Sequence, residues 1–195
     1  MVMMALPNRR QLAQPRVTAR ILRQTAKAML PFYRKIAGNR TFAEQWSAAV
    51  VNADLSLMGS LLSRIPTLAG VENYGTNGIG YFISFLYPLP FAFYTNGTTI
   101  PPGTVQFTFN TRVHRTVALA VIPFYRKLSS SSSYAAALAA AINRNDTAGV
   151  NTMIRGLIKT KALQTVSIED LGVALRFKTR YSKYPYRNLL FQENM

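Results

Sequence analysis

The chain has 195 residues, with 23 Lys and Arg against 7 Asp and Glu, a net charge of +16. It contains no cysteine, which excludes disulfides, zinc–thiolate sites and thiol catalysis together. At 49% hydrophobic residues and a mean hydropathy of +0.06, it carries enough apolar material for a core, which excludes global disorder.

The first fifteen residues read as a basic N-terminal arm. Met1–Pro7 is apolar, but Arg9 and Arg10 follow it rather than precede it, so no cleaved export signal is expected. The expected location is therefore inside a cell or a particle. Residues 16–30 have a helical period. Arg16, Arg20, Arg23 and Lys27 fall on one arc of the wheel, and Val17, Ile21, Leu22, Thr25, Ala28 and Met29 lie largely on the other. Pro31 is expected to end or kink this helix. A second helix is expected with Thr41 as N-cap and Glu44 closing a capping box, burying Phe42, Trp46, Ala49 and Val50. Asp54 reads as the cap of a third helix carrying Met58, Leu61, Leu62 and Ile65. A strand follows, roughly Ile79–Tyr87.

From Asn73 to Thr111 there is no charged residue. Its prolines and turn chemistry suit strands rather than a membrane span. Asn96-Gly97 signals a tight turn and Val105–Phe109 alternates as a strand, so two or three antiparallel strands are expected here, in a sheet common to both halves of the chain.

The stem Pro31-Phe32-Tyr33-Arg34-Lys35 recurs as Pro123-Phe124-Tyr125-Arg126-Lys127, 92 positions on. Held without gaps, that offset pairs Arg20 and Arg23 with Arg112 and Arg115, Ala48-Ala49-Val50 with Ala140-Ala141-Ile142, and Asp54 with Asp146. The reading is a tandem duplication. In the second copy Val113, Val117 and Val121 form the apolar stripe, with a strand as the alternative to a helix because of their β-branching. Ser133 and Asp146 are the expected caps, and Leu171–Lys178 the strand. The expected fold is α+β with pseudo-twofold symmetry, each copy about three helices and a strand, around a central antiparallel sheet. The expected division is 1–15 arm, 16–90 first copy, 91–107 connecting hairpin, 108–180 second copy and 181–195 an aromatic-basic tail.

Catalytic signals are few. His114 is the one histidine and sits opposite Leu22 in the duplication, so it reads as a partly buried core residue. The carboxylates are scattered, and no phosphate loop or metal-ligand cluster is present in the sequence. The expectation is a non-enzyme with no cofactor, no metal and no small-molecule substrate. Most cations cannot find an acidic partner within the chain, which points to an external polyanion. Arg9, Arg10, Arg16, Arg20, Arg23, Lys27, Arg34, Lys35 and Arg40 precede the first carboxylate and form the candidate nucleic-acid contact. Arg180, Lys183 and Arg187, interleaved with Tyr181, Tyr184 and Tyr186, are a second candidate, the rings serving base stacking or subunit contact. The favoured function is a basic structural protein binding nucleic acid largely without sequence preference. The alternatives are a self-assembling coat, capsid or inclusion component, and an anionic membrane-surface binder. A homo-oligomer is expected.

Overall fold

A computed structural model describes residues 16–89 and 92–193. The chain is α+β, with six helices and six strands among the described residues. The first three helices are α1 (Ala19–Gly38), α2 (Arg40–Val51) and α3 (Leu55–Ser63), followed by β1 (Tyr74–Thr76), β2 (Gly80–Tyr87) and β3 (Ala92–Thr99). Then come α4 (Thr111–Ser130), α5 (Ser132–Asn143), α6 (Thr147–Arg155), β4 (Leu163–Glu169), β5 (Gly172–Phe177) and β6 (Tyr186–Gln192). Every helix of the second set begins and ends 92 positions after its counterpart, and β5 begins 92 positions after β2.

The strands form one antiparallel sheet in the order β1-β2-β3-β6-β5-β4. β3 and β6 meet at its centre, with Asn96 opposite Leu190 and Thr98 opposite Asn188. Residues 91–107 are thus not a connecting hairpin, since they contain the central strand β3. The tail 181–195 likewise contains β6. Asn96-Gly97 does not turn but lies inside β3. A side chain at Gly97 would meet the Tyr81 carbonyl at 2.2 Å, so glycine is there to let two strands approach. Val105–Phe109 forms no strand. Phe107 is exposed at φ 49°, while Phe109 is buried against Tyr186 and His114.

Both long helices run through their prolines. Pro31 and Pro123 lie inside α1 and α4, so of the two outcomes expected at these prolines, an end or a kink, neither helix ends there. Packing outweighs the lost backbone bond, because Phe32, Tyr33 and Ile36 beyond Pro31 are fully buried, as are Phe124, Tyr125 and Leu128 beyond Pro123. The β-branched stripe Val113, Val117 and Val121 is helical, within α4. Asn39 both closes α1 and caps α2, its side chain accepting from the Phe42 N–H, and Ser131 does the same between α4 and α5. Thr41 and Ser133 are therefore not the caps. Glu44, four residues beyond Arg40, pairs with that arginine instead. Asp54 and Asp146 cap α3 and α6 as expected.

The helices pack on the sheet face that carries Tyr81, Ile83, Tyr94, Asn96, Asn188 and Leu175, all buried. At its centre four buried side chains close a ring. The Tyr33 hydroxyl donates to Asn96 Oδ1 (2.6 Å) and the Asn96 amide donates to the Tyr125 hydroxyl (2.5 Å). The Tyr125 hydroxyl donates to Asn188 Oδ1 (2.9 Å), and the Asn188 amide returns to the Tyr33 hydroxyl (2.7 Å). Each amide also reaches a carbonyl of the other central strand, Asn96 to Leu189 and Asn188 to Gly97. A buried polar network is tolerable when every member is satisfied, and this one ties both helices to both central strands.

Candidate polyanion interface

α1 and α4 pack antiparallel: Arg115, near the start of α4, reaches the end of α1, while Ser129, near the end of α4, lines a groove with Arg20 and Arg23. The stretch Ile21, Leu22, Thr25, Ala26, Met29 and Leu30 is the buried face of α1. Arg20 and Lys27, on the opposite side, are exposed, Arg23 is half-buried, and Arg16 is exposed just before the helix. This is what a helical period demands when one face is committed to a core.

Arg20, Arg23 and Lys27 line one groove of about 330 Å³ with Ala19, Gln24 and Ser129. Among the described residues no carboxylate borders it, and the Arg23 Nε is buried without a hydrogen-bond partner. At the other end of the helix pair a groove of about 640 Å³ is lined by Arg40, Arg112, Arg115, Glu44, Asn110 and Thr111. There Arg115 donates from Nη2 to the Ala37 carbonyl (2.9 Å), satisfying one of the open carbonyls at the end of α1. Arg40 is bound to Glu44 at 2.7 Å, whereas Arg112 and Arg115 have no carboxylate partner among the described residues, and of these two Arg115 is engaged by the α1 carbonyls.

The other expected residues are scattered. Arg34 and Lys35 are exposed on the last turns of α1, and Lys35 lies 5.9 Å from the centre of the Phe42 ring. Arg180 is exposed. It donates to the Tyr181 hydroxyl, lowering that hydroxyl below its ordinary pKa, and Arg112 stacks on the same ring at 3.9 Å. Lys183 lies over the Tyr184 ring at 5.2 Å. Arg187, on β6, is ion-paired with Glu169 at the end of β4. Tyr186 is 1% exposed and its hydroxyl accepts from the Asn110 N–H, with burial raising its pKa to about 12, so no base can stack on it. Arg9 and Arg10 lie outside the described residues.

Arg112 and Arg115 were not among the expected contacts. The signal for them was the 92-residue offset itself, which pairs them with Arg20 and Arg23. Only two ion pairs, Arg40–Glu44 and Arg187–Glu169, form among the described residues, so most of the positive charge is not neutralised within them.

His114 is fully buried, beyond the partial burial expected. Its Nε2 is 3.0 Å from the Tyr81 hydroxyl, and burial lowers its pKa to about 3, so it is neutral at ordinary pH. Among the described residues no three His, Asp or Glu side chains group to hold a metal, and no helix is long and apolar enough to cross a membrane. No protein-family model, curated protein or solved structure matches this chain significantly.

Proposed function

We propose that this chain is a non-catalytic basic structural protein that binds a polyanion, nucleic acid above all, through the solvent faces of α1 and α4, largely without sequence preference. The observation that carries the reading is the groove of Arg20, Arg23 and Lys27. It is cationic, and among the described residues it has no bordering carboxylate and the Arg23 Nε has no hydrogen-bond partner. Such a site suits phosphate, which needs cations and donors but no particular base. We also read the chain as two copies of one unit. The matching helix bounds and the Tyr–Asn ring, whose members recur at the same offset, support this. The duplication then supplies a second cationic end, at Arg112, on the order of 20 Å along α1 from the first. Two ends at that spacing fit a chain of phosphates better than a single small anion.

Fluorescence anisotropy with labelled RNA and duplex DNA of arbitrary sequence tests this. Affinity is expected to fall linearly with the logarithm of salt concentration, at similar slope for unrelated sequences. Changing Arg20, Arg23, Lys27 and Arg112 together to Gln is expected to reduce the slope by about three to four. An absence of binding at low salt, or a slope untouched by these changes, overturns the reading.

A further inference from the structure

The two edges of the sheet are unlike. β1, at one edge, has 3 residues, whereas β4, at the other, has 7. From Ala162 to Ile168 this second edge carries neither a charged residue nor a proline. Open edges are commonly blunted by shortness, charge or proline, because their backbone groups invite another strand. Which groups β4 offers follows from the turn after it. Asp170 and Leu171 link β4 to β5 at φ 43° and 54°, a two-residue turn with both members left-handed. The residues flanking such a turn, Glu169 and Gly172, exchange both backbone bonds, so by alternation Ser167 and Thr165 also bond β5. The N–H and C=O of Val166 and Ile168 therefore point away from β5, and they have no other partner among the described residues. On either side of them the edge is closed. Arg155 donates to the Leu163 and Gln164 carbonyls (3.2 and 2.7 Å), and the Asp170 carbonyl accepts from the Gln192 N–H (2.9 Å).

We infer that two copies of the chain join at β4, edge to edge and antiparallel, into one continuous sheet. A twofold axis perpendicular to the sheet at Ser167 sets Val166 of each copy opposite Ile168 of the other. Each such pair exchanges both backbone bonds, so every open group of both edges is used, and the contact closes into a dimer. Sliding the register by two residues either way would call on Gln164 or Asp170, whose carbonyls are already bonded. The charges agree with this register. Thr165 lies beside Arg176 in the β4–β5 ladder, and in the dimer it lies opposite Glu169 of the other copy. Arg176 is exposed and forms no ion pair among the described residues. It then stands two strands from that Glu169 on the same face of the sheet, about 10 Å between Cα atoms, a gap that a guanidinium and a carboxylate bridge. Glu169 takes hydrogen bonds from Ser167 and Arg187 of its own chain, one on each oxygen, and both oxygens keep capacity for another. A second copy is the occupant because the backbone register and the charge pairing are both self-complementary. The axis leaves the helices of both copies on one side of the joined sheet.

Cysteine cross-linking on the full chain, cleared of nucleic acid by nuclease and a high-salt wash, tests the register. The chain has no cysteine of its own. Ser167→Cys sets two thiols across the axis in a non-hydrogen-bonded pair, where side chains lie closest, and mild oxidation is expected to give a disulfide-linked dimer. Thr165→Cys leaves the two thiols roughly 14 Å apart between Cα atoms, and is expected to stay monomeric on a denaturing gel. Sedimentation velocity from about 1 to 200 μM is expected to show a reversible dimer of the unaltered chain. Ile168→Pro, which removes one edge donor from each copy, is expected to weaken it about tenfold or more. Arg176→Glu, which sets like charges together, is expected to weaken it about fivefold. Circular dichroism checks that each variant is folded, and if Ile168→Pro is not, the cysteine pair decides. A chain monomeric throughout, equal cross-linking at both positions, or a dimer indifferent to both Arg176→Glu and a folded Ile168→Pro overturns the interface.

Discussion

Residues 19–99 and 111–192 run through the same succession of helices and strands, yet their side chains at equivalent positions diverge in a patterned way. Where the two regions meet, the residues are the same: Tyr33 and Tyr125, Asn96 and Asn188. Elsewhere they can differ. On the outer face of the sheet Ser84 and Thr95 stand against Arg176 and Arg187, and in the core Leu22 stands against His114, whose ring meets Tyr81 and Phe32 of the first region. The shared centre imposes one hydrogen-bonding solution on both regions, since each amide completes the ring of the other. The outward positions carry no such obligation and are free to acquire separate roles.

The largest expected effect breaks the comparison at its shared point. Asn96→Ala removes the acceptor of the Tyr33 hydroxyl and a partner of the Tyr125 hydroxyl, both buried. The loss of these two buried hydrogen bonds and of the one to the Leu189 carbonyl, together with a cavity, is expected to cost about 3–5 kcal/mol of unfolding free energy. Asn188→Ala is expected to cost the same within about 1 kcal/mol, because it serves the mirror-related bonds. Urea denaturation of the two variants checks both magnitude and equality. A loss below about 1 kcal/mol in either would show that the ring contributes little.

The Leu22–His114 difference has a pH signature. In the fold His114 stays neutral down to about pH 3, because burial penalises its cation. The unfolded chain binds a proton at this residue below about pH 6.5. The unfolded state thus carries more protons between those values, so this residue leaves stability intact above about pH 6.5 and reduces it as pH falls. The decrease is about 1.4 kcal/mol per pH unit, roughly 2–3 kcal/mol by pH 4.5. His114→Gln keeps a donor for the Tyr81 hydroxyl and is expected to remove that part of the acid sensitivity. Parallel stability–pH curves for the two proteins would place the titration elsewhere.

Much of the architecture is written in local pattern. Helical periods mark α1 to α3, and Asp54 and Asp146 announce their caps because a carboxylate before an apolar run has few better uses. What misleads the reading are signals that tertiary contacts override. Pro31 and Pro123 are local helix breakers, but fully buried aromatic residues beyond them hold the helices together. Asn96-Gly97 has turn chemistry, yet its asparagine is needed by two tyrosines distant in sequence and its glycine by a close strand. Thr41 is a good cap, but Asn39 reaches the Phe42 N–H two residues earlier. The candidate site is half legible for a similar reason. The cations of α1 stand out against an acid-free stretch, whereas Arg112 matters because α4 lies antiparallel to α1, which no local pattern records.

A smaller effect separates Arg115 from Arg23. Arg115 bonds the end of α1, whereas the Nε of Arg23 has no partner. Arg115→Ala is expected to lower stability by about 1 kcal/mol through the lost carbonyl partner. Arg23→Ala is expected to change stability by less than about 0.5 kcal/mol while weakening polyanion binding more than Arg115→Ala does. Urea denaturation paired with the anisotropy assay reads both. If Arg23→Ala proves the more destabilising, its guanidinium is structural and the groove loses its main claim to a ligand.

The smallest effect lies in the links between the second and third helices of each region. Ala53 and Asn145 both take the left-handed conformation, at φ 52° and 54°, placing Asp54 and Asp146 to cap α3 and α6. Asparagine adopts that conformation more readily than alanine, whose Cβ crowds the following carbonyl. Ala53 is exposed, so Ala53→Asn changes little besides the backbone preference. It is expected to stabilise the chain by about 0.5–1 kcal/mol, raising Tm by roughly 1–4 °C. The reverse change, Asn145→Ala, is expected to lower Tm by a similar amount. Thermal melts of both variants decide the matter. If both changes lower Tm, each link is tuned to its own surroundings, and the two regions are less interchangeable than their matching helices imply.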